Sequence, residues 1–469
     1  MKFVIVGGGI SGWLSALIFS HRKPNHEYVI IESSDVNTIG VGEGTTGLFV
    51  QTIEQLPDIN VAEFIRETKA TPKIGIEFNN WSGKGSTFFN PIDGTLTTNE
   101  DFDSFLYFTY IQNSSLDTSS LHGLLKRKNK SPYTEKLKDY NSALHLDNKL
   151  TIQYLKSKSL KRKNIKYISD TVSKIERDET GKVEKIICSN NIIEGDIFID
   201  CTGYSRIFSE KSDWVSFKDN LPMNSVTTFT RKHNVSMVTK ADKLNLGWCW
   251  QLPTQERIGC GYVSCDEWGN NVMDEIKSNY PDAEILKSFK FDSGKLKKSW
   301  NHNVISLGLA YHFLEPLQAT NIHLTLVQID ILCQRCIRQT KDRTLNPNVI
   351  SIYNKHIDNL IEDFKNFINI HYSRDSRVTL TDYNKKIINL LKVRGLFFED
   401  LPQLYGCSGI GLWGHTLLGL NHLTKQECHN FLSEMNLYEE VKEISSELQT
   451  TFTNTSFLSY KELIKNLSI

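Results

Sequence analysis

Gly7, Gly9 and Gly12 stand at the spacing G-x-G-x-x-G, between the apolar run Lys2-Phe3-Val4-Ile5-Val6 and a helical stretch that reaches Ile18. A second apolar run, Tyr28-Val29-Ile30-Ile31, ends in Glu32, twenty residues beyond Gly12. This is how a dinucleotide site is spelled: Gly7 for the tight turn, Gly9 for backbone approach to a pyrophosphate, Gly12 for close helix–strand packing, and an acid for the ribose. The helix amino terminus adds unpaired N–H groups and partial positive charge. Three further stretches hold chemistry-bearing residues. Lys73 precedes Ile74-Gly75-Ile76-Glu77-Phe78, Trp248 and Trp250 lie two apart in Gly247-Trp-Cys-Trp-Gln-Leu-Pro253, and Asp200-Cys201-Thr202-Gly203 follows an apolar run. Taken by residue type alone, Lys73 is a strand-end surface lysine and the tryptophans are core aromatics sharing one face. Cys333 and Cys336 have C-x-x-C spacing without a second pair, which reads as two thiols on a helix rather than a metal or redox site.

The elements that must position these residues follow from periodicity. Residues 2–6 and 28–32 read as strands around a helix, and a glycine-rich loop runs from Thr38 through Val41, Gly42 and Glu43 to Thr46. Residues 48–69 read as one helix, 73–78 as a strand ending near Trp81, and 82–135 as a loop-rich, aromatic stretch open to use as a surface helix or a substrate wall. The lysines of 155–166 suit a solvated helix face, and 165–176, 182–188 and 192–200 suit strands, with a hairpin turn at Asp178–Gly181. Short apolar segments over 214–300 predict an antiparallel sheet. A buried strand over 303–310 then leads through a small-residue turn to a helix from about residue 322, and beyond 340 the pattern is helical and polar. Without repeats or low-complexity linkers, the domains are expected to interleave.

Composition narrows the partners. Lys plus Arg (54) equals Asp plus Glu (54), which disfavours nucleic acid or an acidic membrane held by bulk charge. There is no run of eighteen apolar residues and no leader before the first strand, so a soluble, cytoplasmic, non-membrane protein is expected. Nine scattered cysteines suit a reducing compartment better than a disulfide framework.

Together these segments resemble the flavin-dependent tryptophan halogenase family, in register from residue 1 to about 325. Gly7-Gly-Gly-Ile-Ser-Gly-Trp13 with Ala16 is similar to the family's G-G-G-x-x-G-W-x-x-A, and Thr38–Thr45 to its T-I-G-V-G-E-A-T loop. Gly247–Pro253 matches G-W-x-W-x-I-P with one conservative exchange, and Gly308–Asn321 resembles G-L-A-x-x-F-L-E-P-L-E-S-T with two departures. The resemblance implies an α/β fold: a Rossmann-like FAD-binding module of the p-hydroxybenzoate-hydroxylase type over 1–340, with interleaved substrate-side insertions at about 75–140 and 214–300. A mostly helical cap over 341–469 completes it.

It also implies roles. Reduced FAD, delivered by a separate flavin reductase, reacts with oxygen to a flavin hydroperoxide; halide attacks it, and hypohalous acid reaches an active-site lysine, here Lys73. FAD would lie against Gly7, Gly9, Ser11, Gly12, Trp13, Glu32, Val41, Gly42, Glu43, Val172, Gly203, Leu309, Pro316 and Ile322. Backbone N–H groups of Thr320 and Asn321 would hold halide, while Trp248, Trp250 and Pro253 would wall the flavin from the substrate. Gln318 stands where the family has a glutamate, and Ala319 replaces its neighbouring serine; an amide is no general base near neutral pH. With a short chain after 340, Trp413 is the candidate for the remaining substrate wall, and an electron-rich phenol, indole or aniline fits better than free tryptophan. No metal is implied. Two other readings share the glycine motif: an FAD-dependent aromatic monooxygenase, which also has the Asp200–Gly203 turn, and a non-catalytic flavoprotein. The tryptophan pair weighs against the first and Lys73 against the second.

Overall fold

A computed structural model describes residues 1–35, 42–92, 104–113, 116–232, 234, 236–401 and 409–467. Its first sheet has six strands in the order Trp300–Asn301, Val304–Ser306, Ile197–Asp200, β1 (Lys2–Val6), β2 (Glu27–Glu32) and Ile165–Ser169. Every pair is parallel except the first. β1 and Ile197–Asp200 carry apolar residues on both faces because such strands are covered on both sides. Helix α1 (Ile10–Arg22) follows β1 at once. A Cβ on Gly12 would lie 1.9 Å from the Gly7 carbonyl oxygen, so only glycine lets α1 start against this turn. Gly7 itself has φ 121° and lies against the Cys201 carbonyl.

The second sheet has seven strands: Glu284–Lys290, Ser225–Arg231, Ile258–Ser264, Gly247–Pro253, Val238–Lys243, Gly75–Asn79 and Thr87–Pro91. The antiparallel sheet expected over 214–300 thus continues into two strands from before residue 92, joined by one parallel pairing, Gly75–Asn79 on Val238–Lys243. A small third sheet places Ala143–Leu146 between Glu43–Gly44 and Thr71–Lys73.

Some expected elements differ. The single helix over 48–69 is two helices, Gly47–Glu54 and Val61–Thr68, because Pro57 between them has no N–H to continue a helix. The stretch 82–135 is more regular than a loop: it contains strand Thr87–Pro91, helices Ser104–Asn113 and Leu121–Lys128, and strand Lys130–Thr134. Its Tyr107 and Phe108 are buried against Phe431 and Tyr438, so they serve the helical core. The strand expected to end near Trp81 is interrupted after Lys73 and resumes at Gly75.

Beyond 340 the chain is helical, led by Pro347–Ile370, whose start is capped by the Asn346 side chain. The strand Phe457–Ser459 returns to pair with Lys130–Thr134 and ties this region to the middle of the chain. Cys333 and Cys336 fall in a π-helical turn after helix Thr320–Ile331, and the eight described cysteines are buried and free. Among the described residues no helix is long and apolar enough to cross a membrane, and no His/Cys/Asp/Glu cluster is suited to a metal.

Candidate active site

The carboxyl ends of β1, β2 and Ile197–Asp200 open on a cavity of about 500 Å³. Gly7, Gly8, Gly9, Ser11, Glu32, Gly42, Glu43, Val172, Gly203, Leu309, Pro316 and Ile322 all line it. A Cβ built on Gly9 or on Gly203 meets nothing within 4 Å, so backbone faces open space there. Glu32 is held at the rim by the Lys156 ammonium and the Tyr167 hydroxyl, 3.0 Å away. Trp13 and Gly12 do not line the cavity: Gly12 seats α1 against the turn, and the buried Trp13 ring lies 5.5 Å from Lys156 Nζ in a cation–π contact. The Glu43 carboxyl is pushed up by burial, opposed in part by the Asn148 amide that donates to it at 3.1 Å. Bare glycine backbone below open space, with an acid at the end of β2, fits a dinucleotide such as FAD.

Lys73 is brought to this cavity by the third sheet. It pairs with Ala143, while Gly44 pairs with His145 on the opposite edge of the same central strand. The side chain is 1% exposed, and Nζ donates to the Thr45 carbonyl at 2.9 Å. A Cβ on Gly44 would stand 3.2 Å from Nζ and 3.4 Å from the Ala319 Cβ, which places the ammonium beside Gly44 and close to Ala319. The surface placement that its residue type alone favoured is therefore replaced by full burial. His145, also buried, is driven well below its ordinary pKa by burial and then by the Lys73 charge. Its hydrogen bonds fix a neutral tautomer. Thr71 spends its own hydroxyl hydrogen on the Pro253 carbonyl (2.6 Å), so it accepts from His145 Nδ1–H (3.0 Å), and Nε2 accepts from Thr239 (2.8 Å). Pro253 does not line the cavity; its carbonyl anchors this chain of bonds.

Trp248 and Trp250 share one face of strand Gly247–Pro253 and both line the cavity, with ring centroids 6.0 Å apart. Trp250 lies over Gly261 of the next strand, where an added Cβ would fall 2.1 Å from the ring. The Trp248 indole N–H donates at 3.4 Å to Glu315, which also accepts from the Tyr372 hydroxyl. Glu315 is fully buried, and burial raises its carboxyl to about 7 against the opposing pull of those two donors.

Gln318 and Ala319 both have left-handed backbone, φ 66° and 57°, immediately before helix Thr320–Ile331. Non-glycine residues hold this conformation only where the surroundings impose it. Both line the cavity, as does Asn321 but not Thr320. Thr320 Oγ1 and Asn321 Oδ1 are buried, and among the described residues neither finds a hydrogen-bond partner. The Gln318 amide nitrogen lies 2.9 Å from Nε2 of His371, a buried residue packed among Phe78, Trp81 and Phe367.

Trp413 is a correction. It is fully buried in helix Gly409–Gly419, 5.3 Å from Phe367 and 6.1 Å from Tyr383, and does not line the cavity. A large aromatic in a polar helical region packs that region's own core. Val41 lies outside the described residues. The sequence reading missed Thr45, His145 and His371, and Glu315 as an interacting group. Thr45 and Glu315 lie inside recognised motifs, whereas the two histidines carry no local signal because the residues they join to the site, Gln318 for His371 and Thr71 and Thr239 for His145, are distant in the chain.

A tryptophan 7-halogenase of Lentzea aerocolonigenes is 24% identical over 409 residues, 79% of this chain and 76% of its own. A tryptophan 6-halogenase of Streptomyces toxytricini is 25% identical over 413 residues, 79% and 78% respectively. The solved tryptophan halogenase from Shewanella frigidimarina superposes with a TM-score of 0.85 at 21% identity, covering 100% of this chain and 97% of its own. The tryptophan halogenase family profile matches residues 2–458. With that match spanning both sheets, the glycine turn, Lys73 and the tryptophan pair, the chain belongs to the tryptophan halogenase family of flavin-dependent, halide-using enzymes.

Proposed function

We propose that this enzyme halogenates an electron-rich aromatic small molecule of the phenol, indole or aniline type, with Lys73 as the residue that delivers the halogen. The observation that carries the reading is the position of the Lys73 ammonium. It is buried and tied to Thr45, and it stands in the same cavity as the glycine turn, the tryptophan pair and Gln318. When bound, reduced FAD supplies the electrons with which oxygen converts halide to hypohalous acid. Gly7, Gly9 and Glu32 would hold its diphosphate and ribose. The N–H groups of Thr320 and Asn321, at a helix start without helical partners, would hold halide.

Trp248 and Trp250 keep the ring away from the flavin, so only a small oxidised halogen passes between the two ends of the cavity. Lys73 then donates a hydrogen bond to the oxygen of hypohalous acid and fixes which carbon the halogen meets. A carbon–halogen bond forms as the halogen–oxygen bond breaks, the ring proton leaves to solvent, and water is the second product. Because Gln318 cannot take that proton, the ring must stabilise its own cationic intermediate through an oxygen or nitrogen substituent. A separate flavin reductase is the expected partner, since one dinucleotide fingerprint is present and is assigned to FAD.

The test supplies reduced FAD, oxygen and bromide with a phenol. Bromophenol from wild type and none from Lys73→Ala, with flavin reoxidation unchanged, is expected. A hydroxylated product from wild type would overturn the reading.

A further inference from the structure

Gln318 replaces an acid with an amide, and an amide has two different ends. Which end faces the cavity is set by His371. Its Nδ1 lies 2.8 Å from the Phe367 carbonyl, an acceptor only, so Nδ1 carries the hydrogen. Burial keeps this imidazole neutral, at a pKa lowered to about 4, and Nε2 is then a bare acceptor. The group 2.9 Å from Nε2 must therefore be the Gln318 NH2. Amide nitrogen and oxygen diverge from one carbon, and among the described residues no donor reaches Gln318 Oε1, while Gln318 lines the cavity.

We propose that Gln318 is the specificity-determining hydrogen-bond acceptor for the substrate. Held nitrogen-inward by His371, it presents Oε1 to a hydroxyl or N–H on the aromatic ring, and His371 is its positioning residue. This deepens the halogenase reading and rests on it. A phenol or indole that donates to Oε1 is oriented and becomes a better electron donor to its own ring. An O- or N-methylated analogue of similar electron richness leaves Oε1 unpaired, and a buried group left unpaired costs affinity. The same lock acts on the variant that restores the family's acid. Glu at 318 has no N–H for Nε2, so the carboxylate repels the bare imidazole unless His371 takes up a proton.

The experiment compares phenol with anisole, and indole with N-methylindole, as bromination substrates. Wild type is expected to favour each donor by at least about tenfold, and Gln318→Met, of similar length without an acceptor, to lower that preference to within about threefold. His371→Phe is expected to lower it likewise, and the double variant no further. Bromination of both members of each pair at equal rates by wild type would overturn the acceptor while leaving the halogenase reading intact. A second readout needs no turnover. Nitrogen-15 NMR of His371 in the full-length protein should show protonated Nδ1 and bare Nε2 near pH 7 in wild type, and both nitrogens protonated in Gln318→Glu. The Nε2–H tautomer in wild type would overturn the lock whatever the activity.

Discussion

Lys73 and Thr45 are 28 positions apart, yet the lysine ammonium donates to the threonine carbonyl at 2.9 Å. The bond crosses the small sheet whose central strand, Ala143–Leu146, pairs with Thr71–Lys73 on one side and Glu43–Gly44 on the other. Gly44 leaves room for the ammonium, because an added Cβ would stand 3.2 Å from Nζ and 3.4 Å from the Ala319 Cβ. Gly44→Ala is therefore expected to shift Nζ by a few tenths of an ångström and lower halogenation by roughly tenfold, about 1.4 kcal/mol in barrier. Flavin reoxidation should stay at the wild-type rate. Single-turnover assays that follow product and flavin together check this, and an unchanged product yield would mean that Lys73 does not act on the halogen.

The two glycines of the turn should fail in different ways. Gly7 has φ 121° and no space, since a Cβ would sit 2.2 Å from the Cys201 carbonyl oxygen, so Gly7→Ala should lower Tm and soluble yield. Gly9 faces open space, so Gly9→Trp should keep its Tm and lose FAD. Thermal melts and a flavin fluorescence titration separate the two, and FAD affinity retained by Gly9→Trp would move the pyrophosphate elsewhere.

Glu315 makes stability depend on pH. Its carboxyl is raised from 4.5 to about 7, so the native state holds this proton more tightly than the unfolded chain. The resulting stabilisation is complete below pH about 4.5 and is lost as pH rises through about 7, roughly 3 kcal/mol in all. The buried His371 and His415, each lowered to about 4, act in the opposite sense and are spent by about pH 6.5. Glu315→Gln keeps the neutral form at every pH. Its urea midpoint should rise relative to wild type between pH 5 and pH 8, and a constant difference between the two proteins would show that Glu315 does not titrate there.

Trp413→Ala should act on folding rather than on substrate. The fully buried indole packs on Phe367 and Tyr383, and its removal should cost about 3–5 kcal/mol. In the folded fraction, KM for a phenol should remain within about twofold of wild type, whereas a large rise in KM with unchanged Tm would return Trp413 to the substrate wall.

The sequence by itself determined the parts whose physics is local. The strand–turn–helix at Gly7 and Gly12 could be read because so tight a turn needs glycine at that spacing within one βαβ segment. Trp248 and Trp250 could be placed on one face because strand side chains alternate. Tertiary structure decided what depends on distant partners. Whether Lys73 is a surface or a buried lysine turns on pairing with residues 143–146, and the core role of Trp413 was visible only once Phe367 and Tyr383 were in place, whereas the helix break at Pro57 is local and was legible in the sequence. The direction of the Gln318 amide depends on a histidine 53 residues away, whose tautomer is set in turn by the Phe367 carbonyl one turn earlier in the helix that His371 ends. Hydrogen-bond direction and burial are properties of contacts, and a contact between residues far apart in the chain leaves no periodic trace in the sequence.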